Sequence, residues 1–362
     1  MNGRQQTRVN AIEAAFPFLA VSIGLISLLV GAVTPDARLE VSGVALNPLF
    51  YLCLAVFAGC LACRKSDLQF VFLMLLPTTL MLLSLFWSLD AEYGLLKYVN
   101  LLTASFIAIV FFVGAIRLIG VEQLLRYLAV ILLILLVGAV VYKLQFGFFR
   151  REVPYLLNGP IVFARLMGLG ALAAFFSMRG TARILACLAF CLAVAWTGSK
   201  GPLLAIIGVL AWSIWKHSRG RGRFLFATSV ITVGTVIGVL FAYAMIDLGS
   251  NRLFAIIDLL TWNRSAMGSD TSAGVRLLTY INTVDLIAEH PLGVGLGAWS
   301  QHVSENFGLD YPHNLFLEVL SESGVIAGAI ALLPFVVALL VPGPPALRAI
   351  VLFFFLSQQV SG

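Results

Sequence analysis

Between Asp310 and Gly324 the sequence DYPHNLFLEVLSESG gathers a histidine, an asparagine and two glutamates, directly before the apolar run VIAGAIALLPFVVALLV. Pro312 suits a chain approaching a helix start and Asn314 is a capping residue, so a helix is predicted to open at Asn314. Glu318 and Glu322 then share one face, with Asn314 a turn before them. His313 stands at the helix head, beside the positive end of the dipole, where a neutral imidazole is favoured and a general base can operate. An outer-loop histidine is more often inert, so both readings stay open on this stretch alone. Continued to Val341, the helix would be about 42 Å long at 1.5 Å per residue. That exceeds the roughly 30 Å hydrocarbon core and would leave the first turns proud of a bilayer.

Three cations could serve an anionic substrate. Arg165, in NGPIVFARLMG, lies five residues past Pro160, about 7–8 Å below the expected helix start. A guanidinium at that depth costs several kcal/mol unless it faces a partner or a wet cavity. It is therefore an anion ligand, or a structural pair, or a side chain snorkelling to the headgroups. Lys200, in TGSKGPLLA, opens a predicted helix between Gly198 and Gly201. Backbone N–H groups, helix dipole and ammonium together make an anion cradle, although a loop lysine is also ordinary. Arg276 heads an amphipathic segment. Three cations at one depth would suit a diphosphate at the membrane surface. The glycines of HPLGVGLGAW (290–299) do not have dinucleotide-fingerprint spacing. They suit a tight turn that lets backbone approach a ligand or a helix.

The elements that must position these groups are set by composition. The 362 residues are 60% hydrophobic and 11% charged, with a mean hydropathy of +1.00, far outside the soluble range. The excess falls in blocks near bilayer length, and in lipid such blocks must be helices. Spans are expected near Ile12–Val33, Val44–Ala62, Leu68–Leu89, Tyr98–Ile116, Leu124–Leu144, Pro160–Met178, Arg183–Trp196, Pro202–Trp215, Phe224–Ile246, Val325–Val341 and Arg348–Val360. The fold class is an all-α polytopic integral membrane protein with about 11–12 transmembrane helices. The first span is too long and too late for a cleaved signal peptide.

The net charge of +6 follows topology, not nucleic acid. With the N-terminus inside, the short inner loops carry Arg64, Lys65, Arg117, Arg126, Arg179, Arg183 and the cluster KHSRGRGR (216–223), against only Asp67 and Glu122. This is the positive-inside pattern, and no nucleic-acid partner is expected. Cys60 and Cys63 form a C-x-x-C without companion ligands, so buried small hydrophobes are the better reading. No metal site or cofactor is expected.

The loops are short except between Asp247 and Tyr311, on the outer side. Two helical pieces are expected there, near Arg252–Leu260 and Val275–His290. The second places Val275, Leu278, Ile281, Leu286 and Ile287 among polar neighbours, as a surface-lying amphipathic helix does. A long loop in a compact protein is usually functional. Three regions follow: a transmembrane bundle of about nine helices over 1–246, the long outer loop over 247–312, and the His313-headed helix with the last span over 313–362. The ending FFFLSQQVSG is compatible with a short outer end or with a further C-terminal piece.

HNLFLEVLSESGVIAG resembles the signature of the bacterial O-antigen ligase and polymerase superfamily, where a His-Asn pair opens a helix and a glutamate and a glycine follow. WSLDAEYGLLKYVNLL (87–102), GPIVFARLMG (159–168), TGSKGPLLA (197–205) and VRLLTYINTVDLIAEHPLGVGLGAW (275–299) agree with it in order. The resemblance implies a GT-C-like, metal-independent membrane glycosyltransferase. It would act on the periplasmic side of the bacterial inner membrane, with a glycan on undecaprenyl diphosphate as donor and lipid A-core or a lipid-linked glycan as acceptor. It implies His313 as general base and Arg276 as a diphosphate ligand. Lys200 stands where the family usually has arginine, and a lysine offers a point charge in place of a bidentate fork. Arg165 joins the diphosphate ligands on its depth. Asn314, Glu318 and Glu322 are supporting residues, the glutamates expected to hold the helix head by pairing with Arg165 or Arg276. A transporter or flippase is the rival, but it would need ionisable or broken helices near the bilayer midplane in two related halves.

Overall fold

A computed structural model describes residues 16–30, 39–41, 44–46, 49–148, 150, 153–156, 159–217, 272–303 and 308–360. Within them the chain is all-α apart from one hairpin. The helices are α1 (Phe16–Val30), α2 (Leu49–Cys60), α3 (Lys65–Met81), α4 (Ala91–Ile119), α5 (Val121–Phe146), α6 (Pro160–Ser177), α7 (Gly180–Trp196) and α8 (Lys200–His217). They continue as α9 (Ser272–Glu289), α10 (Trp299–His302), α11 (Leu315–Ser323), α12 (Val325–Leu340) and α13 (Pro345–Val360), and a 3₁₀ helix, Leu82–Trp87, follows α3. The expected span at Phe224–Ile246, the piece at Arg252–Leu260 and the cluster beyond His217 lie outside the described residues.

α4, α5 and α6 are each long and apolar enough to cross a bilayer, and α1, α7, α8, α12 and α13 contain shorter apolar helices. Their outward residues are oil: along α5, Ile134, Val137, Val141 and Leu144 are exposed, while Leu128, Leu132, Leu136 and Ala139 are buried. A helix apolar on all sides with one side unburied is a membrane span, not a water-facing helix. The protein is an integral membrane protein.

The sequence expectations fail locally in four places. The second span begins at Leu49, because Val44–Leu46 pairs antiparallel with Leu39–Val41 (Val41 opposite Val44), as two β-prone triplets flanking Ser-Gly can do. α4 begins at Ala91, well before Tyr98, because the Asp90 carboxylate accepts the Tyr93 N–H at 3.1 Å and starts the helix early. The buried stripe of α9 is Leu277, Thr279, Thr283 and Leu286, and of the five expected apolar residues only Leu286 is buried. Trp299 sets this rotation by donating its indole N–H to Thr283 Oγ1 at 3.0 Å. Finally, the over-long helix from Asn314 to Val341 is two helices, broken at Gly324 (φ +84).

The chain divides into two compact units, Met1–Leu76 with Val99–Ser199, and Pro77–Tyr98 with Lys200–Gly362. In the first, α6 packs between α5 and α7, and α2 meets α4 so closely that a Cβ at Gly114 would lie 2.3 Å from the Gly59 carbonyl oxygen. Small residues at such crossings are how membrane helices approach. Asp67 and Glu122, the acidic residues expected in the short inner loops, are both paired in this unit: Asp67 with Arg117, and Glu122 with Arg126 and Arg179. In the second unit α8 packs on α13, and α11 packs on α9 and α12.

Candidate active site

The second unit holds the His313 helix head. Asn314 is the N-cap of α11, and its side-chain oxygen accepts the N–H groups of Phe316 at 3.0 Å and Leu317 at 3.2 Å. Pro312 and Asn314 are buried, while His313 between them is half-buried. His313 has φ +55, and among the described residues only Leu156 is another non-glycine with positive φ. A side chain in the left-handed region costs about 1–3 kcal/mol and persists where its surroundings over-determine it. Here the cap fixes the chain after His313. Tyr280 of α9 donates its hydroxyl to the His313 carbonyl at 3.4 Å, and the Tyr311 ring lies 4.5 Å from the imidazole, tilted by 59°. Burial pushes the Tyr280 phenol above its usual value, against the lowering pull of Arg276, so it stays a protonated donor at neutral pH.

Arg276 is one turn before Tyr280 on α9. Residues four apart share a helix face, and α9 therefore brings a half-buried guanidinium to the phenol that touches His313. Lys200 is the first residue of α8, after Gly198 at φ +65, and only its backbone is described. Arg165 is half-buried in α6, within the first unit. Of the three expected cations, the described structure brings Arg276 to the histidine's neighbourhood.

Glu318 and Glu322 take a partner that the sequence expectation did not include. Lys97, in α4, places its ammonium 2.5 Å from Glu318 Oε1 and 2.9 and 2.8 Å from the two oxygens of Glu322. An ammonium has three N–H donors, and three carboxylate oxygens take them. Glu322 is buried, at 1% exposure. A charge so placed is tolerable only when paired and hydrogen-bonded, and the Gly297 N–H also donates to it. The signal for Lys97 was present: a lysine inside an apolar spanning helix is as costly as Arg165 and calls for a partner.

The glycine-rich turn locks this assembly. The N–H groups of Val294 and Gly295 donate to the carbonyls of Ser321 and Glu322 at 2.9 and 3.0 Å, and the Val325 N–H donates to Pro291. The first two satisfy the end of α11, whose last carbonyls would otherwise lack partners, and the third ties the start of α12 to the turn. On its other side the turn receives the Trp87 indole N–H at Gly293 O (2.9 Å) and the Ser88 hydroxyl at Leu296 O (2.9 Å). A Cβ at Gly293 would meet Gly324 N at 2.4 Å, and one at Gly295 would meet Ser88 Cα at 2.4 Å. The glycines serve backbone-to-backbone packing. Among the described residues, no three of His, Cys, Asp and Glu come together as a metal-ligand set.

Fold and site together define a polytopic α-helical membrane protein with a histidine-headed helix clamped in its second unit. Residues 185–332 match the model of the O-antigen ligase family. That stretch is less than half of the chain, and the match supports the O-antigen ligase and polymerase superfamily. The match takes in Lys200, Arg276, His313, Asn314, Glu318 and Glu322, and it ends inside α12; Lys97 and Arg165 lie upstream of it. No curated protein matches the chain.

Proposed function

We propose that the protein transfers a glycan from undecaprenyl diphosphate to an acceptor hydroxyl at the periplasmic face of the inner membrane, with His313 as general base. The observation that carries this reading is the left-handed His313, held between a buried proline and a capping asparagine, with a protonated phenol on its carbonyl. Strain kept at one half-buried polar residue marks function more than packing. In the reaction an imidazole nitrogen takes the acceptor hydroxyl proton while the oxygen attacks the anomeric carbon. The bond from that carbon to the diphosphate oxygen breaks, and undecaprenyl diphosphate leaves with the electron pair. Such a base contributes about 10²–10⁴-fold.

Arg276 neutralises the departing diphosphate, as a preorganised cation does best. Lys200 and Arg165 remain candidate diphosphate ligands from their sequence positions, without a metal in the scheme. Lipid A-core as acceptor makes the protein an O-antigen ligase, and a second lipid-linked glycan makes it a polymerase. The test is transfer by purified protein from a defined undecaprenyl-diphosphate glycan to each acceptor, with and without chelator. Transfer to one acceptor that survives chelation is expected. Transfer to neither would refute the proposal, and loss with chelator would refute its metal-independent form.

A further inference from the structure

We propose that Lys97 is a positioning residue for this reaction, its ammonium fixing the helix that presents His313; the inference rests on reading His313 as the base. Lys97 and Glu322 are 225 residues apart in sequence and joined by two hydrogen bonds of 2.9 and 2.8 Å, with Glu318 as a third acceptor at 2.5 Å. All three donors of the ammonium are therefore spent on α11. That excludes Lys97 as a diphosphate ligand in this arrangement and gives it a mechanical role instead.

α11 needs such a hold. It has nine residues, too few for intrinsic helix stability. The break at Gly324 also denies it the rigidity of a continuous span with α12. Its tail is gripped by the Gly293–Gly297 turn and its head is capped by Asn314. Between them, the only side-chain ion pairs on its flank among the described residues are those to Lys97. Without the ammonium, Glu322 would be a buried carboxylate lacking its counter-charge, and α11 would shift to hydrate it. His313, one residue ahead of the cap, would move with the helix. Misplacing a reacting group by about 1 Å can cost 10²-fold in rate.

The test compares Lys97→Met, Lys97→Arg and Glu318→Gln with the parent and with His313→Ala, in purified protein that is monodisperse and assayed well below its melting temperature. Lys97→Met should lower kcat at least tenfold while the donor KM stays within about threefold, because the donor cations are untouched. Lys97→Arg, which keeps charge and forks to two carboxylates, should recover most of kcat. Should Lys97→Met not yield folded protein, Glu318→Gln carries the test: it leaves Glu322 paired and should still lower kcat severalfold. A folded Lys97→Met with kcat within threefold of the parent, beside an inactive His313→Ala, overturns the positioning role and leaves the base intact. If Glu318→Gln carries the test, an unchanged kcat in that variant overturns the role in the same way. A rise in donor KM matching the loss of kcat/KM would also overturn it, by making Lys97 a donor ligand. An active His313→Ala would remove the base and this inference together.

Discussion

His313, the candidate base, has a strained backbone and a buried neighbour on each side. The strain is held by Asn314, so the cap and the candidate base are one device. Asn314→Ala removes the acceptor for two N–H groups and should cost about 1 kcal/mol of stability. Its kcat should fall further than a cap elsewhere would explain, and Asn314→Asp should retain most of both. Thermal unfolding in detergent and steady-state transfer measure the two effects. Arg276 predicts the opposite kinetic split: Arg276→Ala should raise donor KM and lower donor kcat/KM at least tenfold with acceptor KM little changed. An effect confined to the acceptor would contradict its diphosphate role.

The elements that carry these residues were legible to different depths. Within the described residues hydropathy found the apolar helices, though not all of their starts, because lipid forces an apolar block into a helix, and Asn314 was legible as a cap from residue type alone. The break at Gly324 was not, since apolarity runs on past it. The hint was a glycine after a polar turn, the usual helix stop. Lys97 could be flagged as a costly lysine, but its pairing with Glu318 and Glu322 depends on which segments meet, and spacing within one helix does not encode that. The glycine turn was read as permissive, and whether ligand or helix lay against it needed the fold. Its packing makes a sharp prediction. Gly293→Ala puts a Cβ 2.4 Å from Gly324 N at φ +81, so it should destabilise the protein by more than about 2 kcal/mol. Gly208→Ala, in α8 with open space around it, should be neutral or slightly stabilising.

At the scale of the molecule, the two units carry different polar sets. In the first, Asp67 with Arg117 and Glu122 with Arg126 and Arg179 gather residues of the short basic loops. In the second, the stretch from residue 276 to 313 supplies Arg276, the glycine turn and His313. The proposed orientation puts the first set in the cytoplasm and the second in the periplasm. With the native cysteines replaced, Asp310→Cys should react with an impermeant maleimide in intact cells and Lys65→Cys only after permeabilisation. The reverse pattern would place the histidine on the wrong side for a periplasmic acceptor.

Everything proposed for the site turns on His313 removing the acceptor proton, and single-turnover transfer isolates that step. Donor-loaded wild type and His313→Ala are mixed with acceptor, with donor binding measured separately on each. Donor affinity should stay within about threefold of wild type, and the transfer rate should be at least 10²-fold lower. Transfer by His313→Ala at a rate near wild type, with the donor bound normally, would rule out His313 as the base.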